Sequence, residues 1–137
     1  MRLLTLPISF GEAADKVAIL EIKRDRIHDP AKRANVELEL AQVAPLFISQ
    51  VKAENGFAAL FARLKDINGQ LWGIEELIRE HERRGDFGAE FVRLARAVYQ
   101  TNDERARVKR QIDVLFGSDI REEKSYVQHG TDGATHD

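Results

Sequence analysis

Cysteine is absent from this chain, which excludes disulfides, thiolate metal sites and cysteine nucleophiles and is compatible with a reducing compartment. Long hydrophobic runs are absent as well: no stretch approaches the ~20 apolar residues that a membrane span requires. Residues 1–8 are apolar, but they are too few for a signal peptide. Pro7 interrupts them, and Glu12 and Asp15 follow where an apolar core should continue, so cytoplasm is the expected location. Charge of one sign is missing too. The net charge is −2, with Arg and Lys interleaved among Glu and Asp, which fits a salt-bridged helix surface and gives no reason to expect nucleic acid as a partner. The four histidines (His28, His81, His129 and His136) show no metal-ligand spacing, so no metal or other cofactor is expected. Glycine-rich phosphate loops, nucleophile elbows and zincin helices are likewise missing.

What remains is a helix-rich chain, 43% apolar and 32% charged, of a size for one domain. Residues 1–127 are expected to form that domain and residues 128–137, which lack an apolar anchor, a mobile tail. Residues 2–8 read as an extended arm. Ser9 is the expected cap of a first helix to about Ile27, with Glu12 three places on completing a capping box. Asp29-Pro30 starts a second helix, cap followed by a proline that has no N–H to lose. Pro45 should kink or restart it, and a break is expected near Asn55-Gly56.

The third and fourth segments carry the strongest pattern. Phe57, Leu60, Leu64, Ile67, Leu71, Ile74 and Ile78 alternate spacings of three and four. Phe87, Phe91, Leu94, Val98, Thr101, Arg105, Val108, Ile112 and Leu115 do the same. Between them, Arg83-Arg84-Gly85-Asp86 reads as two cations in a last turn, a left-handed glycine and a cap for the next helix. So short a connection makes neighbours antiparallel. The expected fold class is therefore all-α: a long antiparallel, coiled-coil-like hairpin of residues 57–84 and 86–116, with one or two N-terminal helices packed on it.

Reflection about the turn opposes apolar residues at both ends of this seam but sets Leu71 against Thr101 and Ile67 against Arg105. A charge there needs partners, and Asp103, Asn68 or a first-helix group such as Glu21 could supply them. The polar layer is either a register device, with Arg105 paired or snorkelling to the surface, or a site. A second stripe, Asn68, Trp72, Glu75 and Arg79, lies beside the seam. It reads either as a core tryptophan near Tyr99 with an i,i+4 ion pair, or as the wall of a pocket. The candidate polar pocket is Glu21, Arg24, Asn68, Trp72, Glu75, Arg79, Asn102, Asp103 and Arg105. Gly69, Gly73 and Ala62 on the back of the third helix would let another helix approach. Glu75, Glu76, Glu80 and Asp103 fit the carboxylate spacing of magnesium-dependent helical pyrophosphohydrolases poorly.

At these residues the chain resembles an uncharacterised bacterial family of short all-helical proteins with a domain of unknown function. The resemblance rests on Pro7-Ile8-Ser9-Phe10-Gly11-Glu12, Asp15-Lys16 and Ile19-Leu20-Glu21-Ile22-Lys23. It continues through Asn68, Leu71-Trp72, Ile74-Glu75 and Ile78-Arg79, then Val98-Tyr99, Asn102-Asp103, Arg105-Ala106 and Lys109-Arg110. It closes on Gly117-Ser118 and Glu122-Glu123-Lys124-Ser125-Tyr126. Members sometimes accompany glycosyltransferase and surface-polysaccharide proteins, which implies a setting and no activity, and no catalytic residue is carried over.

Two functional expectations follow, and the residues leave open whether the chain is an enzyme. One is a non-enzymatic helical interaction or scaffold protein that forms a homo-oligomer, a homodimer in the simplest case, or binds a protein partner. The other is a small helical enzyme or anion- or sugar-nucleotide-binding module. In it Arg105, Arg79 and Lys16 or Arg24 would hold a carboxylate or phosphate, with Glu75 or Asp103 as acid or base.

Overall fold

The computed structural model describes residues 1–117 and Glu123, all helix and connection, without strands among them. Four helices follow in order: α1 (Phe10–Arg26), α2 (Pro30–Val51), α3 (Phe57–Arg84) and α4 (Ala89–Phe116). Residues 122–126 of the family resemblance, apart from Glu123, and the expected tail from residue 128 lie outside the described residues. Among the described residues no helix is long and apolar enough to cross a membrane.

Local chemistry accounts for most helix ends. Ser9 caps α1, its hydroxyl accepting from the Glu12 amide at 3.1 Å. The capping box is only half made, because the Glu12 carboxylate turns to Lys109 instead. Asp29 caps α2 through the Lys32 amide at 2.9 Å, with Pro30 in the first turn. Gly85, at φ +65°, ends α3, and the Asp86 amide donates back to the His81 carbonyl at 2.9 Å.

Two helix boundaries differ from expectation. Of the kink or restart expected at Pro45, the restart does not occur, and α2 runs through it from Pro30 to Val51. Pro45 and Ala41 both lie on the exposed face, so the carbonyl that loses its amide partner meets water at little cost. The fourth helix starts at Ala89, not Asp86, with Gly88 as its cap. The Asp86 carboxylate is occupied locally, taking the Gly88 amide at 3.3 Å and lying 3.5 Å from His81 Nδ1. Phe87 is consequently outside the helix, edge-on to Phe91 at 5.2 Å.

The helices pack as a bundle. Arg63 of α3 reaches Gln111 of α4, and at the other end the His81 ring faces Phe91, so numbers that rise along α3 fall along α4. Helix α1 touches all three others. Its first turns lie on α4, with Phe10 stacked on Phe116 at 4.2 Å, and its last turn reaches α3, with Arg26 beside Gly69. The core (Ala14, Val17, Leu20, Val36, Leu40, Leu64, Ile67, Val108 and Ile112 among others) therefore collects around α1, which touches α3 and α4 on one side and α2 on another, with Phe47 of α2 reaching Phe57 and Phe61 of α3. A chain of rings, Phe61, Phe47, Phe57, Phe116 and Phe10, closes that end.

Candidate functional site

The polar waist is built around an aspartate of α1. Asp15 is 2% exposed, and its carboxylate receives Arg105 through two nitrogens, Nε at 2.9 Å and one terminal nitrogen on the other oxygen. The Asn68 amide nitrogen donates to the same carboxylate at 2.9 Å, and Lys109 Nζ stands 4.0 Å away. Arg105's remaining nitrogen donates to Asn102 Oδ1 at 3.2 Å. Lys109, also buried, pairs with Glu12 at 2.9 Å. The guanidinium fork is thus used on both edges by protein groups, in the planar geometry that favours bidentate carboxylate pairing.

One turn further along α4, Asp113 is buried and accepts the Gly11 amide at 2.7 Å. That amide is one of the donors left over at the start of α1, where a carboxylate is favoured. Glycine is required at this contact. A β-carbon on Gly11 would stand 2.2 Å from the Lys109 carbonyl oxygen, so any other residue pushes α1 off α4.

Beside the waist lies an open cleft of about 510 Å³, between α1, α3 and α4. Ile19, Ile22, Leu71 and Trp72 supply its apolar wall, and Asn68, Asn102 and Arg105 its polar floor. Glu75, Glu76 and Arg79 stand at its edge, with Arg79 3.8 Å from Glu75. The Arg26 guanidinium lies over the Trp72 ring at 5.9 Å, within cation–π reach. Since Asp15 already balances Arg105 and Arg79 stands beside Glu75, Glu76 is the lining carboxylate without a cation named for it, and Arg26 adds a positive charge at the Trp72 wall.

Six of the nine candidate residues meet in this cleft: Asn68, Trp72, Glu75, Arg79, Asn102 and Arg105. Three do not. Glu21 pairs with Lys65 at 3.1 Å, Arg24 with its neighbour Asp25 at 3.2 Å, and Asp103 is buried away from the lining. Lys16, weighed as an anion ligand, pairs with Glu39 of α2 at 2.6 Å. The first-helix partner of Arg105 is therefore Asp15, not Glu21. Trp72 has Arg26 as its neighbour, and the Tyr99 hydroxyl takes Arg96 at 3.3 Å. Gly69 is approached by the tip of Arg26, whereas a β-carbon at Gly73 would meet nothing within 4 Å.

Sequence reasoning missed Asp15, Lys109, Asp113 and Gly11 as parts of the cluster. A signal was present: Gly11, Asp15, Ala18 and Ile22 recur at four, three and four, all buried, while Asn102, Arg105, Lys109 and Asp113 form a polar stripe on α4. Among the described residues, no group of histidines and carboxylates is placed to hold a metal ion. Compared with protein-family models, with curated proteins and with solved structures, the chain matches none.

Proposed function

We propose that this protein is a non-enzymatic helical interaction or scaffold module that self-associates. Its frame in this reading is an antiparallel, coiled-coil-like hairpin of α3 and α4 with α1 and α2 packed on it. One observation carries the reading. Arg105, the strongest candidate for holding a reacting anion, is committed on both edges to Asp15 and Asn102. A cation so paired fixes the register of three helices, the best-attested use of a buried ion pair. The family resemblance suggests a bacterial setting beside surface-polysaccharide assembly, with the module acting in the cytoplasm as a docking element.

Size-exclusion chromatography with light scattering tests this directly. A dimer or higher species is expected at tens of micromolar, and a monomer throughout would overturn the self-association. The second reading, a small helical enzyme or anion- or sugar-nucleotide-binding module, has the cleft itself in its favour, since its volume lies within the ~300–1,000 Å³ of ordinary ligand sites. The pairing of its cations argues the other way, with Arg105 held by Asp15 and Arg79 standing beside Glu75. A thermal-shift series with phosphate, sugar nucleotides and dicarboxylates separates the two, because a ligand that binds only the folded state raises Tm. No shift at millimolar concentration is expected.

A further inference from the structure

The eight residues before Ser9 run without helix, and their apolar side chains stand in water: Leu3 is 63% exposed, Leu4 81% and Leu6 64%. Arg2 is the only charged side chain before Glu12. An extended segment of this kind has two needs, cover for its leucines and a counter-charge for its arginine. The cleft beside the waist offers both. Its wall is Ile19, Ile22, Leu71 and Trp72; at its edge Arg79 stands beside Glu75 and leaves Glu76 to face an incoming cation, with Arg105 already balanced by Asp15 and Arg26 lying over Trp72. About 510 Å³ accommodates a few leucine-sized side chains.

We propose that this cleft receives the residue 2–6 arm of a second copy of the chain. The leucines would lie against Trp72 and Leu71, and Arg2 would face Glu75 and Glu76. The arm leaves its own α1 at the end pinned to α4 by Gly11 and Asp113, while the cleft opens further along the same helix, at Ile19 and Ile22. Its side chains stand clear of the body that bears them. Exchange between two copies is reciprocal, so each arm fills the other's cleft and the assembly closes as a two-fold dimer. This inference rests on the self-association reading and names its surface.

The test uses the full chain and two variants. The arm variant is Leu4→Asp/Leu6→Asp, at positions exposed in the single copy. The cleft variant is Glu75→Lys/Glu76→Lys, and circular dichroism checks that both keep their helices. Trp72 is the only tryptophan, so its emission reports on the cleft alone. The parent chain is expected to dimerise, with Trp72 emission moving to shorter wavelength as concentration rises. Each variant alone should raise the dimer Kd at least tenfold and lose that shift. Mixing the two should restore part of the association, since the cleft variant's intact arm meets the arm variant's intact cleft. A dimer untouched by the arm variant would overturn the inference and leave self-association standing. A monomer at all concentrations would overturn both. A Trp72 shift that depends on the arm but not on concentration would assign the cleft to the chain's own arm and overturn the exchange.

Discussion

The α3–α4 pair carries one hydrophobic rhythm from end to end, yet its two halves are packed differently. In the half covered by α1, Leu64, Val108 and Ile112 are fully buried and the polar side chains between them are tied to named partners. Beyond Trp72 and before Thr101 the same spacing leaves Ile74, Ile78, Phe91 and Val98 only half-buried, with Leu77 and Val92 exposed. Leu94 and His81 are the buried side chains there. The cause is length. The 17 residues of α1 span about 25 Å, against about 42 Å for the 28 of α3 or α4. Two helices shield a seam from two sides only, and a third is needed to take it to zero exposure.

The largest expected effect falls on the waist. Asp15→Ala should cost about 3 kcal/mol in urea unfolding, because half-buried Arg105 loses its bidentate carboxylate and buried Lys109 is left with Glu12 alone. Arg105→Leu alone should cost somewhat less, since buried Asp15 keeps the Asn68 hydrogen bond and Lys109 at 4.0 Å, whereas Asp15→Leu with Arg105→Leu should recover most of the loss. If the double variant is no better than either single one, the cluster does more than fix register. Next comes Gly11→Ala, expected to destabilise by roughly 1–3 kcal/mol because the methyl collides with the Lys109 carbonyl.

The same exchange in the outer half should change sign. Gly73→Ala meets open space and should stabilise by about 0.8–1.0 kcal/mol through helix propensity alone, read as a higher urea midpoint at constant slope. A loss of stability there would show that Gly73 faces a partner. Native-state hydrogen exchange should divide the two halves, amides of residues 74–98 opening at lower free energy than those near Leu64 and Val108. The smallest effect is with pH. Hydrogen bonds from Arg83 and Arg93 hold Glu80 and Glu90 below the usual carboxylate range. A lowered folded-state pKa contributes stability above the unfolded value and loses it as pH falls through the folded one. The outer half should therefore loosen slightly below about pH 4.5, and salt should shrink the effect because both pairs are exposed.

Much of the fold was legible because helix ends are local chemistry. Ser9, Asp29, Gly85 and Gly117 act through atoms within a few residues, so their identities suffice. Asp86 misled because a carboxylate serves a turn as readily as a helix start, and Pro45 does not restart its helix because its cost depends on which face it occupies. Of the cleft, the α3 and α4 side could be read from spacing, which places Asn68, Trp72, Glu75 and Arg79 on one stripe. The α1 side could not. Glu21 and Asp15 are both acids on an amphipathic helix, six residues apart, and nothing local distinguishes the one that meets Arg105.

The sequence by itself determined that this chain is helical, where most of its helix ends fall, and that a polar layer interrupts an apolar seam. Only the tertiary structure decided that Asp15 answers Arg105, that Gly11 lets α1 touch α4, and that a cleft opens between Trp72 and Asn102. Periodicity records which side chains share a face, but the line along which α1 crosses the other helices is set by contacts between residues about 50 to 100 positions apart. Those contacts exist only once the helices have packed.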